Sequence, residues 1–300
     1  MTRRNGLSEA LQTQERLQRS RWYTWSLIGH SFARNRTALV GVAIISIFVV
    51  ATVIAPLIVQ DPNTLEFEQV LESPSADHYF GTDDVGRDQF ARVIYGARVS
   101  LQVGVFSVLI AALVGVLAGV AAGYYGRWVD SVIMRMVDAI LAFPGLLLAI
   151  FLVGVLGPSL RNAMLAIAVT FIPSFARLTR ANTLAIREME YVSAARAIGA
   201  SNWRIMTRGV LPNLMSTLIV QLSLAMSWAI LVEAGLSFLG LGIQPPTPAW
   251  GSMLGEGRAH IATSWWMTTF PGLAIFLTVL AFNFIGDGLR EALDPRQRRT

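Results

Sequence analysis

Long apolar runs, each closed by charged residues, recur along the chain. A helix needs roughly 20 apolar residues to cross a bilayer core. Six runs qualify: residues 38–59, 99–123, 134–156, 163–183, 213–236 and 267–284. The pattern predicts an all-α membrane protein with six transmembrane helices. Composition agrees with it. Hydrophobic residues make 54% of the chain and charged residues only 14%, against about 25% charged in soluble domains.

The segments between the runs alternate in charge. Arg3, Arg4, Arg16, Arg19, Arg21, Arg34 and Arg36 precede the first run. The next segment holds Asp61, Glu66, Glu68, Glu72, Asp77, Asp83, Asp84 and Asp88 against Arg87, Arg92 and Arg98. Arg127 and Arg135 follow the second run; Arg177, Arg180, Arg187, Arg196, Arg204 and Arg208 surround the segment after the fourth; Arg290, Arg296, Arg298 and Arg299 end the chain. Cytoplasmic loops carry the excess of arginine, so both termini are expected in the cytoplasm and the acidic loop outside. The arginines follow the membrane sides, without the interleaved aromatics of a nucleic-acid surface, so no nucleic-acid partner is expected. Residues 16–36, with Trp22, Trp25 and Phe32, read as an interfacial helix on membrane lipid. The first apolar run is too long for a cleaved signal and reads as a retained anchor.

Several features inside the runs bear on packing and transport. Ala111, Gly115, Gly119 and Gly123 recur every four residues, a stripe that lets two helices approach closely. Pro144 and Pro173 each remove a helix hydrogen bond and predict kinks, and Ser174 stands beside the second to re-satisfy a freed backbone group. Glu233 falls within the fifth run, where a charge is costly and needs a reason: a gate or a site for an amino group at the outer end, a pair with an arginine, or a place at the water interface. Ser174, Gln221, Ser227, Glu233 and Asn283 are the polar candidates for lining a substrate pathway.

The basic segment between the fourth and fifth runs reads Arg187-Glu188-Met189-Glu190-Tyr191-Val192-Ser193-Ala194-Ala195-Arg196-Ala197-Ile198-Gly199 and closes with Leu211-Pro212. Tyr191, Ala194, Ala195 and Ile198 fall at i, i+3, i+4 and i+7, one face of a helix. Gly199 suits a positive-φ helix end, Ser201 a cap for a second short helix, and Pro212 the first turn of the next long one. A short helix with a small-residue face has little to bury in itself and makes sense as a docking element for a soluble partner.

This segment resembles the "EAA" loop of permease subunits of binding-protein-dependent ABC importers. Ser193 stands where that pattern has Glu, and Gly209 where it often has Ile. Two more stretches resemble the peptide-importer branch: Gly81-Thr82-Asp83-Asp84-Val85-Gly86-Arg87-Asp88 with Tyr95-Gly96-Ala97-Arg98-Val99-Ser100-Leu101, and Leu236-Ser237-Phe238-Leu239-Gly240-Leu241-Gly242-Ile243-Gln244-Pro245-Pro246-Thr247-Pro248. The end, Gly286-Asp287-Gly288-Leu289-Arg290-Glu291-Ala292-Leu293-Asp294-Pro295, is similar to that of dipeptide/oligopeptide C-type permeases. The resemblance spans residues 33 to 295.

The resemblance implies a type I ABC importer permease fold in a bacterial inner membrane. It also implies a second, homologous permease, two ATPase subunits that bind ATP and Mg, and an extracytoplasmic substrate-binding protein. ATPase contact would run through Glu190, Tyr191, Ser193, Ala194, Ala195, Ile198, Gly199, Leu211 and Pro212. The outward loops 61–98 and 237–265 would meet the binding protein. The chain divides into a cytoplasmic tail and interfacial helix (1–37), a first span with the acidic loop (38–98), a permease core (99–290) with its coupling loop at 184–212, and a tail (291–300). The substrate is expected to be a dipeptide or oligopeptide, with nickel chelate or glutathione as alternatives in the same family and an ion-gradient secondary transporter as the alternative from another class. No internal repeat of the kind those transporters carry is evident.

The chain has no lysine, so it lacks the P-loop needed to hold nucleotide phosphates; no cofactor is expected in it. It has no cysteine and only three histidines, none at metal-ligand spacing. No G-x-S-x-G or H-E-x-x-H motif is present, and a carboxylate pair from Asp138 and Asp287 is the one catalytic arrangement conceivable. The chain is therefore expected to be no enzyme.

The absence of cysteine gives a direct test of topology. An impermeant maleimide added to intact cells should label Glu68→Cys and leave Asn202→Cys unlabelled; the reverse pattern would overturn the assigned orientation.

Overall fold

A computed structural model describes residues 29–293. The 16–28 part of the interfacial helix, and the tail from Asp294, lie outside the described residues. Among the described residues the secondary structure is helical apart from one isolated bridge, Thr82 to Asp88.

Helix α1 (Arg36–Ile58) starts at Asn35, whose side chain accepts the amide of Ala38 at 2.9 Å. Most of α1 faces outward. Its one tight contact is with the last helix, α9 (Trp266–Leu293): a Cβ on Gly41 would lie 2.6 Å from the carbonyl oxygen of Ala281. Helix α2 (Gln89–Tyr125) has 37 residues, about 55 Å at 1.5 Å per residue, so it outreaches the ~30 Å bilayer core. The second apolar run began at residue 99; the helix begins ten positions earlier because Asp88 caps it, accepting the amide of Ala91 at 2.7 Å. The division drawn between residues 98 and 99 therefore falls inside one helix.

The third run does not form one helix. Pro144 ends α3 (Arg127–Leu141), and α4 (Gly145–Leu156) leaves at 88° to it. A kink was expected; the break is complete because Pro144 takes an extended backbone, with ψ at 129°. With α4 only 12 residues long, about 18 Å, the run spans a bilayer only as a bent pair. Among the described residues five helices are long and apolar enough to cross, and the bent pair, taken as one span, makes six. An even number is what places both termini on one side. Asn162 ties the turn after α4, donating from Nδ2 to the carbonyls of Leu156 at 2.8 Å and Gly157 at 2.9 Å.

Helix α5 (Leu160–Arg187) contains Pro173, with Ser174 donating to the carbonyl of Phe171 at 2.8 Å. The short α6 (Glu190–Ala197) follows. A helical turn at Asn202–Arg204 then leads through a wide π turn, Ile205–Val210, into α7 (Leu211–Phe238). The expected separate short helix is thus continuous with the long one; the π turn adds a residue just before Pro212, where an ordinary turn would bring the ring against a carbonyl. Helix α8 (Trp250–Gly257) packs on α7 and α9.

Helix α2 lies at the centre, against α5, α7, α1 and α3. One apolar core joins α2, α5 and α7 and continues into the coupling segment through Val192, Ile205 and Val210. A second, around Trp250 and Met253, joins the outer parts of α2, α7, α8 and α9. The glycine stripe meets α5 backbone to backbone. A Cβ on Gly115 would lie 2.7 Å from the carbonyl oxygen of Ile172, on Gly119 2.5 Å from that of Ala176, and on Gly123 2.9 Å from that of Arg180. Gly119→Leu, despite leucine's better helix propensity, should destabilise the subunit in detergent by about 1–3 kcal/mol or more through overpacking. Gly154→Leu, where nothing lies within 4 Å, should leave the melting temperature unchanged. Equal melting of the two variants would show that α2 and α5 do not meet as described.

Candidate functional site

Helix α6 is seated by one residue that its exposed face conceals. Val192 is fully buried, and it anchors α6 on the core while the opposite side stays open. Ala194 and Ser193 are exposed and Ala195 is half-buried. Tyr191 is 43% exposed and Ile198 85% exposed. Glu190 lies in the first turn and Arg196 in the last, each on the favourable end of the helix dipole.

The helix ends at Gly199, whose φ is +80°. The amide of Ala200 then bonds the carbonyl of Ala195 at 3.0 Å, the long bond of a helix-ending reversal. Ser201 caps the next turn, accepting the amide of Arg204 at 3.4 Å. Tyr191 closes the loop: its hydroxyl donates to the carbonyl of Gly209 at 3.1 Å and accepts from Asn213 Nδ2 at 3.0 Å. Gly209 thus presents its carbonyl to the tyrosine. The result is a surface groove of about 380 Å³ lined by Tyr191, Val192, Ala195, Ile198 and Gly199 on one side and Arg204, Ile205, Arg208 and Gly209 on the other. Leu211 is half-buried and Pro212 exposed, beyond this groove.

The sequence reading missed the residues that join this segment to the spans. Tyr124, at the end of α2, donates its hydroxyl to Asn202 Oδ1 at 2.9 Å, and the Arg196 guanidinium lies 5.3 Å from its ring centroid. Arg187 donates from Nη1 to the carbonyl of Gly123 at 3.2 Å, at the end of α2. Arg180 grips Asp130 with two bonds of 2.5 and 2.6 Å, and Arg177 holds Asp138 at 2.6 Å. Asp138 is therefore committed to an ion pair between α5 and α3. The tyrosine beside a glycine C-cap was the available signal; its partner, 78 positions away, was not visible in sequence.

The outward motifs prove more folded than free loops. In the 81–88 stretch, Gly81 and Gly86 take φ of +71° and +79°, and Asp83 accepts from Arg87 Nε at 2.5 Å. Arg87 and Arg92 both donate to Glu256 of α8 at 3.1 Å. Burial pushes the Glu256 carboxyl above the usual carboxylate value, opposed by Arg92 and Arg87. The 237–265 segment, expected as an exposed loop, carries α8, and Trp250 at its start is fully buried, donating to the carbonyl of Val93 at 2.9 Å. Of the two tryptophans that precede the last apolar run, Trp265 is exposed; Trp266 is buried and donates to the carbonyl of Thr82 at 3.0 Å.

The polar pathway candidates do not converge. Ser174 is exposed on α5. Gln221 lines a 410 Å³ cleft with Leu178, Ser216, Thr217, Val220, Arg290 and Leu293. Asn283 is half-buried on α9. Ser227 is buried and donates to the carbonyl of Val279 at 3.3 Å. Glu233 is enclosed between helices rather than lining an open face.

Residues 115–299 match the family described as binding-protein-dependent transport system inner membrane component, and residues 24–74 match the N-terminal TM domain of oligopeptide transport permease C. The chain is 48% identical over 275 residues to the dipeptide transport system permease protein DppC of Alkalihalophilus pseudofirmus, covering 91% of this chain and 90% of that protein. It is 47% identical over 234 residues to the glutathione transport system permease protein GsiD of Pectobacterium atrosepticum, covering 78% of each. Among solved structures, a chain of the MetNI methionine ABC transporter in an inward facing conformation superposes with a TM-score of 0.51 at 20% identity, covering 68% of this chain and 95% of that one. The chain therefore belongs to the family of binding-protein-dependent transport system inner membrane components and has the multi-pass helical fold of an ABC transporter permease.

Proposed function

We propose that this chain forms half of the translocation pathway of an ATP-driven importer for dipeptides or short oligopeptides. It works with a homologous second permease, two cytoplasmic ATPase subunits that bind ATP and Mg, and an extracytoplasmic binding protein. The protein itself performs no covalent chemistry and resides in a bacterial inner membrane.

The observation that carries the reading is the α6 groove. Its small-residue face is open to a partner, while its buried side continues into the core of α2, α5 and α7. A protein that pushes on Ala194, Ala195 and Ile198 pushes on the end of α2 through Asn202, Arg196 and Tyr124. Transport then amounts to shifting between two packed states that the ATPases bind with different affinity. The 81–88 and 236–248 motifs, with the 48% identity to a dipeptide permease, support a peptide. The comparably similar glutathione permease favours a second reading, a γ-linked tripeptide. Among the described residues no cluster of three or more His, Cys, Asp or Glu could hold a metal ion.

Ala194→Asp should place an unpaired charge on the exposed face of α6 that the partner covers and cost about 3–5 kcal/mol of association. The variant should insert normally but lose binding-protein-stimulated ATP hydrolysis when reconstituted with its partners; full stimulation would remove α6 from the docking role. Tyr124→Phe should keep the subunits assembled yet lower stimulated hydrolysis, with about 1 kcal/mol lost at the Asn202 hydrogen bond. For the substrate, a deletion strain without a redundant importer should resist a toxic dipeptide and fail to grow, as an auxotroph, on the matching dipeptide. Unchanged dipeptide uptake with loss of glutathione uptake would move the assignment to the second reading.

A further inference from the structure

One carboxyl within the spans has no task in the coupling argument. Glu233, on the outer part of α7, is 1% exposed. Its Oε1 accepts the Ser237 hydroxyl at 2.7 Å, and Oε2 has no hydrogen-bond partner. Ser237 in turn accepts the amide of Ile243 at 3.4 Å. A relay thus runs from the backbone of the 236–248 motif, through one hydroxyl, to the carboxyl.

The motif's glycines make the relay possible. A Cβ on Gly242 would lie 2.9 Å from Ser237 Cβ, and one on Gly251 would lie 2.8 Å from it and 2.5 Å from the carbonyl oxygen of Ala234. Both chain segments close over Ser237 because neither carries a side chain there. From the other side, Ser100 of α2 lies beside the same carboxyl. Its hydroxyl is also buried without a partner. No charged group faces Glu233 from these elements: α2 offers Ser100, and α7 offers Ser237. Arg87 and Arg92 of the outer cluster pair with Asp83 and Glu256.

An ionised carboxylate in such a place has no paired cation to offset its desolvation. A protonated one has an O–H donor as well as an acceptor. Oε1 then keeps the Ser237 bond, while the Oε2 proton goes to the Ser100 hydroxyl, and two orphaned groups satisfy each other. We propose that Glu233 is a positioning residue: a neutral hydrogen-bonding acid that clasps the 239–249 segment to α7 and α2, and not a charge that reads the substrate. This rests on the transport reading only in taking the separation of α2 from the 239–249 segment as a step of the cycle.

The test uses the cysteine-free chain in its assembled complex. Ile243 is buried, so Ile243→Cys should react slowly with an impermeant maleimide. Adding Glu233→Ala should speed labelling roughly tenfold, the effect of losing about one buried hydrogen bond, whereas Glu233→Gln, neutral and able to donate and accept, should leave it slow. In uptake, Glu233→Gln should keep both Vmax and KM near the wild-type values, and Glu233→Ala should lower Vmax with KM nearly constant. If Glu233→Ala does not reach the membrane, Ser237→Ala must give the same rise in labelling. Unchanged labelling in both alanine variants overturns the clasp. A raised KM in Glu233→Gln overturns the neutral role and assigns the charge to the peptide. Labelling is independent of the substrate, so absence of peptide uptake by the parent chain would refute the transport reading alone.

Discussion

The close approach of α2 to α5 is the constraint on which the rest of the molecule depends. In a bilayer there is no hydrophobic drive between helices, so association rests on packing and polar contacts. Gly115, Gly119 and Gly123 let the two backbones meet without side chains between them. With that contact fixed, Arg180 and Arg177 of α5 reach Asp130 and Asp138 of α3, and Arg187 reaches the end of α2. The coupling segment, which continues directly from α5, is thereby set under the cytoplasmic end of α2.

Two networks then hold the ends of α2. At the outer end, Asp83, Arg87, Arg92 and Glu256 form a charged cluster that joins the 81–88 stretch to α8. Such a cluster contributes little net stability, because desolvation offsets attraction, but removing one partner leaves an uncompensated charge and is costly. It therefore specifies one arrangement of the outer loops. At the inner end the contacts are a single hydroxyl, a cation over a ring and one carbonyl cap, lighter and more easily rearranged.

Much of this was legible in the chain. Apolar length located the long helices, and the period of Tyr191, Ala194, Ala195 and Ile198 located the short helix α6, because both are local properties. Gly199 read as a helix end, and its φ is positive. What sequence did not reveal was non-local. Pro144 signalled a bend, but not the 88° between α3 and α4, nor the ion pairs that join α3 to α5. Trp266 is buried because its indole N–H donates to the carbonyl of Thr82, 184 positions away. The 237–265 segment looked like a loop because its glycines and prolines hide a short helix whose burial depends on Trp250 finding Val93.

The length of α2, set against the position of its tight contact, has a mechanical meaning. Gly119 stands six residues from the cytoplasmic end of the helix and thirty from the outer end, about 9 Å and 45 Å along the axis. A stiff rod turning about that point is a lever with very unequal arms. A displacement of 1 Å at Tyr124 would sweep the Asp83–Arg87–Arg92–Glu256 cluster through roughly 5 Å by this ratio of arms. Small displacements at the inner end of α2 are thus matched, through geometry alone, to movements as wide as a side chain at its outer end.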